Sequence, residues 1–213
     1  MGRPGATLWA EFAALFIGAP LAIALLLPPR LMFLALFGFT LAGLGLLWWT
    51  GNFDWRNLIR GWGRVHWAAS ALFGLAVAAV GLAIMRWGNP GFLPHLSPER
   101  LRFLALLWCL YPLLSALPQE LIFRALFFHR YGRLFPTPGR AALANAALFS
   151  LAHLMYWSWV VAALTFAGGW IFARTYLRRG FPAAWVLHAI AGNVLFTVGM
   201  GRYFWSGNVV APF

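Results

Sequence analysis

Lysine is missing altogether from this chain, the acidic residues are only Glu11, Asp54, Glu99 and Glu120, and there is one cysteine, Cys109. A single thiol excludes an internal disulfide, and inside an apolar run it reads as a small packing residue. Charged residues make up 9% of the 213 positions against 62% hydrophobic, too little polar surface to cover a soluble globule, so lipid must solvate the chain. The net charge of +12 is carried entirely by arginines. They lie between apolar runs, which argues against nucleic acid and for orientation in a bilayer with anionic lipid heads nearby. No A-x-A cleavage site follows the first apolar run, so a retained first span is expected.

A bilayer core about 30 Å thick takes about 20 helical residues. Apolar runs of that length occupy residues 8–27, 31–50 and 67–87. A fourth segment, 101–133, is long and carries Pro112 and Pro118, which predicts a kink or break near them. Residues 141–173 hold no formal charge, and a last span falls near 181–201. Arginine counting decides whether 141–173 crosses once or twice. Two spans meeting near Tyr156-Trp157-Ser158-Trp159 put ten arginines (3, 56, 60, 64, 130, 133, 140, 174, 178, 179) on one side and five (30, 86, 100, 102, 202) on the other. A single span gives eight against seven. The expectation is an all-α, polytopic bundle of about seven spans enclosing a polar cavity, one domain over 1–213, with the N-terminus cytoplasmic.

Between the second and third spans, Arg56, Arg60 and Arg64 recur every four residues while Trp55, Leu58, Ile59, Trp62 and Val65 mark another face. That spacing predicts a short amphipathic helix on the cytoplasmic leaflet, the alternative being an ordinary basic loop.

Ionisable residues deep in a bilayer cost about 2.5–3.5 kcal/mol each even on lenient scales, so each needs a reason. Glu120 and Arg124 lie in PQELIFR, His153 in FSLAHL, and His188 in LHAIAGN with Asn193 beside it. Three helices thus each supply polar groups that must find partners in the interior. Glu120 and Arg124, four apart, share a helix face and can pair. Read alone, that pair can serve only to neutralise itself, and each histidine reads as a hydrogen-bonded core residue. Together, a carboxylate, a guanidinium, two imidazoles and an amide are the parts for activating water and holding an oxyanion. His66, His95 and His129 fall near interfaces, where solvation is expected.

PQELIFRALFF, FSLAH and HAIAGN, in that order, resemble the CPBP superfamily, which includes CAAX prenyl endopeptidases and Abi-type bacterial membrane proteins, with motifs EExxxR, FxxxH and HxxxN. The resemblance covers about 101–201 and includes GGWIFARTYLRRGFPAAW ahead of the last motif. It implies an intramembrane glutamic-type endopeptidase of a bacterial inner membrane. Glu120 and His153 would activate water, and His188 with Asn193 would hold the oxyanion; Gln119, Arg124 and Phe149 would support them. The substrate would be a peptide or protein presented from the membrane, and no cofactor is implied, with zinc the open alternative. Two positions depart from the pattern. Gln119 stands where the first glutamate belongs, and a carboxamide does not take up a proton at neutral pH. Glu120, one residue along, sits about 100° around the helix, so it reaches the same place only by turning away from Arg124. The fourth residue after His188 is Gly192, with Asn193 one further. QELIFRALFFHRY resembles a bacterial branch that carries this variation as a pattern.

Two other functions fit the residues. One is a catalytically silent scaffold or partner-binding protein, which Gln119 favours. The other is a small proton- or metal-linked transporter, for which two histidines and a carboxylate are suitable but no inverted repeat is present.

Overall fold

A computed structural model describes residues 5–93, 97–204 and 209; His95 lies outside them. Among the described residues all regular structure is helical. The helices are α1 (Ala6–Leu26), α2 (Met32–Thr50), α3 (Trp67–Gly88), α4 (Pro98–Leu134), α5 (Pro138–Leu151), α6 (Trp159–Arg179), α7 (Phe181–Thr197) and a last turn, α8 (Gly201–Phe204). Five of them (α1, α2, α3, α4 and α6) are long and apolar enough to cross a bilayer, while α7 is a shorter apolar helix. The outward faces carry Trp48, Trp49, Leu41, Leu72 and Leu75, all well exposed. In water such a surface would aggregate; in lipid it is the solvated face. The molecule is a polytopic helical membrane bundle.

The charge-free stretch does divide in two. Helix α5 ends at Leu151, a one-turn 3₁₀ segment follows at Leu154–Tyr156, and α6 begins at Trp159. His153 and Tyr156 of this segment line a cavity. Helices α5 and α6 then lie close because a Cβ at Gly169 would stand 3.2 Å from the Ala146 Cα. The opposite turn, between α6 and α7, rests on Gly180 with φ +89°, a conformation that side chains disfavour.

Helix α4 runs through both prolines as one continuous element. Its winding loosens into π turns at Pro112–Ala116 and Leu121–Tyr131, one of the ways a helix absorbs a missing N–H. The Pro112 carbonyl, which takes the Leu117 N–H of that wider turn, also accepts from Trp185 Nε1 of α7 at 2.7 Å. Cys109 of α4 is exposed on the outer surface, where the sequence suggested packing.

The 55–65 segment is not an amphipathic α-helix. It forms two 3₁₀ turns, Trp55–Leu58 and Trp62–Arg64, separated by Gly61 at φ +103°. The loop folds back on the bundle: Trp62 meets Trp185 edge to face at 5.9 Å, and Arg60 pairs with Asp54 at 2.8 Å. A Cβ on Gly61 would stand 3.3 Å from the Arg179 carbonyl. His66 is exposed, whereas His129 is half-buried, one ring nitrogen 3.1 Å from the Gly51 carbonyl.

Contacts at the two ends assign the arginines to sides. At one end Arg130 bonds Glu11 and Thr50, His129 meets Gly51, and Gly61 abuts Arg179. At the other, Arg100 donates to the Thr197 carbonyl and Tyr156 packs on Phe204. Described arginines 56, 60, 64, 130, 133, 140, 174, 178 and 179 therefore share one end. The fork of Arg130 on Glu11, with Nη2 2.7 Å from Oε2, is reinforced by the Tyr131 hydroxyl, which donates to the same carboxylate. It ties α1 to α4 across an aromatic cluster of Phe12, Phe16, Phe123 and Phe127. Glu11→Gln is expected to cost about 1–2 kcal/mol, because the pair is hydrogen-bonded but partly wet. The thermal midpoint in detergent reads the loss; an unchanged midpoint would make this bridge ornamental.

Candidate active site

Helix α4 delivers two polar side chains to different places. Gln119 follows Tyr111 and Ser115 at intervals of four, so all three lie along one face, and all three line a cavity of about 740 Å³. Gln119 Nε2 donates to Ser115 Oγ at 3.1 Å, leaving its carbonyl oxygen buried with no protein donor. Glu120, one residue on, is fully buried and does not line the cavity. Its Oε2 faces Arg124 Nε at 3.3 Å, an ionic contact without hydrogen-bond alignment. Its Oε1 lies 3.0 Å from His188 Nδ1.

Arg124 is as buried as Glu120, and a lone guanidinium there would be prohibitive. Besides the carboxylate, it has the Phe149 ring at 5.0 Å and the Phe172 ring at 5.8 Å for cation–π attraction. Its Nη1 donates to Asn145 Oδ1, and Asn145 Nδ2 in turn donates to the Phe123 carbonyl at 2.6 Å. Asn145 is fully buried on α5 and was not singled out from the sequence. A polar residue in the apolar run AALANAALF was the available signal.

His153 leaves the end of α5 as the helix stops. Its Nδ1 lies 2.7 Å from the Phe149 carbonyl; a carbonyl only accepts, so Nδ1 carries the proton and Nε2 is the free acceptor. His188 has the same polarity for a different reason. In the neutral ring with Nδ1 donating to the Glu120 carboxylate, Nε2 bears the lone pair, 3.4 Å from the Tyr111 hydroxyl. Its ring stacks on Phe172 at 4.9 Å and 13°. Phe149 sits against both imidazoles, with centroids at 4.7 Å to His153 and 5.5 Å to His188.

Of the residues singled out in the sequence, Gln119, Phe149, His153 and His188 line the cavity, while Glu120, Arg124 and Asn193 do not. Asn193 donates to the Trp108 carbonyl at 3.3 Å and holds α7 to α4. Glu120 has not turned from Arg124 into the cavity; it reaches the cavity through the His188 ring. Among the described residues no group of three or more His, Cys, Asp or Glu side chains gathers closely enough to hold a metal ion. The Glu120 carboxylate is bonded to one of the two imidazoles.

The remaining cavity wall is apolar, with Phe73, Val77, Leu164 and Ile171 among its residues. Several rim residues, including Phe33, Val80, Leu106 and Leu110, are themselves exposed on the outer face of the bundle. The cavity is thus reached from the side, at the level of the apolar surface. An apolar pocket with a few convergent polar groups is the form a binding site takes.

Residues 101–194 match the family described as "Type II CAAX prenyl endopeptidase Rce1-like". The match covers less than half of the chain and spans the same stretch as the three motifs read in the sequence. No curated protein and no solved structure gives a significant match.

Proposed function

We propose, from the premise that residues 101–194 are Rce1-like in sequence, that the chain is an intramembrane endopeptidase whose essential carboxylate, Glu120, acts through His188. The observation that carries this reading is the 3.0 Å contact between Glu120 Oε1 and His188 Nδ1, with the far side of the ring in the cavity. Arg124 faces the carboxylate, and the carboxylate fixes the tautomer of His188 and stabilises the imidazolium it becomes. A water between His188 Nε2 and His153 Nε2 donates one hydrogen to each, which turns its lone pair toward a peptide carbonyl. His188 takes a proton as the water oxygen bonds to the carbonyl carbon and the carbonyl pair moves onto oxygen. The tetrahedral intermediate collapses with cleavage of the C–N bond, and His188 returns the proton to the leaving amine. The apolar side opening suits a substrate whose flanking segment lies in lipid. Gln119 then needs no proton-accepting role, in keeping with a QExxxR pattern. The same reading puts the protein in a bacterial inner membrane, with the arginine-rich end cytoplasmic.

Purified protein in liposomes, given a synthetic peptide library that includes farnesylated peptides ending in a CAAX box, is expected to release fragments detectable by mass spectrometry. His153→Ala is expected to reduce the rate by about 100-fold. Gln119 itself favours a second reading, a silent scaffold. An inactive wild type and a Gln119→Glu variant that gains cleavage would support that reading and overturn ours.

A further inference from the structure

The helix α7 residue that should complete an HxxxN pattern is Gly192, and its missing side chain has been replaced in space. A Cβ at Gly192 would stand 2.1 Å from the Cε1 and Cζ atoms of Tyr111 and 2.4 Å from its hydroxyl oxygen. No pair of side chains can share that volume, so the phenol of α4 occupies what a side chain at 192 would fill. The hydroxyl also lies 3.4 Å from His188 Nε2, and Tyr111 lines the cavity. Asn193, the amide next in the sequence, is turned to the Trp108 carbonyl instead.

The placement is held from both sides. Trp185, His188 and Gly192 follow one another at helical spacing along the α7 face that meets α4. Trp185 fixes the Pro112 carbonyl, next to Tyr111, at 2.7 Å. Asn193 fixes the Trp108 carbonyl one turn earlier. The Tyr111 ring packs on Phe196 with centroids 6.1 Å apart. The hydroxyl of a ring held this way keeps rotation about its C–O bond and nothing else, which is the preorganisation a transition-state donor requires.

We propose that Tyr111 is a catalytic residue, its O–H standing in for the side chain that Gly192 lacks and donating to the oxyanion of the tetrahedral intermediate. This rests on the peptidase reading above. At rest the O–H points to His188 Nε2; when substrate and water bind it turns to the substrate carbonyl oxygen, freeing the single Nε2 lone pair for the water's proton, and it holds that oxygen as the carbonyl electron pair settles there. It keeps its proton throughout, while the proton from water travels by way of His188 to the leaving amine. The long resting contact suits a bond that must be exchanged during the cycle.

The test uses the full chain in liposomes with whichever library peptide the wild type cleaves. Tyr111→Phe keeps the ring and removes the donor, so kcat is expected to fall about 100-fold with KM and thermal midpoint unchanged. Tyr111→Ala is expected to be at least as impaired, and the double variant Tyr111→Ala/Gly192→Asn to regain about tenfold or more over it, since the amide then has room to donate. A purely structural tyrosine would not give that rescue. Full activity in Tyr111→Phe, with His188→Ala inactive, overturns this inference and leaves the peptidase reading standing. Full activity in His188→Ala, or no cleavage by the wild type, overturns both.

Discussion

His188→Ala is expected to lower kcat for peptide cleavage by about 1,000-fold, in the range seen when a positioned general base is lost. Among the described residues this ring joins the buried carboxylate to the cavity: Nδ1 on Glu120 at 3.0 Å, Nε2 beside Tyr111. Its removal leaves Glu120 still facing Arg124, so the core charge stays balanced and the protein is expected to fold. Gel filtration and the thermal midpoint check that, and the progress curve for the cleaved peptide reads the rate. Activity within a few-fold of wild type would mean that the carboxylate works by another route.

The second large effect separates the structural role of the ion pair from its chemical one. Arg124→Ala removes the charge opposite Glu120 and empties the space beneath the Phe149 and Phe172 rings, which is expected to destabilise the protein by about 3–5 kcal/mol. Replacing both partners, Glu120→Gln with Arg124→Met, leaves no uncompensated charge and fills the volume, so stability is expected to return to near wild type. Cleavage is expected to stay lost, because a carboxamide does not stabilise an imidazolium. Recovery of both stability and cleavage in the double variant would reduce Glu120 and Arg124 to a packing device. The thermal midpoint and the peptide assay, run on the same preparations, distinguish these outcomes.

The bundle was legible because lipid solvation forces long apolar runs, and because arginines must sit at their ends. Those two constraints locate the break at Tyr156–Trp159, where α5 and α6 part. They say nothing about backbone choices made by one glycine, so the four-residue arginine spacing at 56–64 suggested a helix that Gly61 interrupts in the left-handed region. In the site, the scarcity of polar residues singled out Glu120, Arg124, His153 and His188. Which way each points depends on π winding in α4 and on partners from α5, neither of which periodicity encodes. Asn145 and Tyr111 went unnoticed, the first as one amide among alanines and the second as one aromatic among many. A stripe of Tyr111, Ser115 and Gln119 at four-residue intervals was visible in the sequence and carried the signal for the cavity face.

Cleavage in water enriched in oxygen-18 tests the central claim most directly. Wild-type protein in liposomes is expected to place one heavy oxygen in the new C-terminal carboxylate of the cleaved library peptide, with about 1,000-fold less labelled product from His188→Ala in the same time. Labelled product at equal rates from both proteins would contradict a carboxylate working through that imidazole, and no labelled product from the wild type would contradict hydrolysis itself.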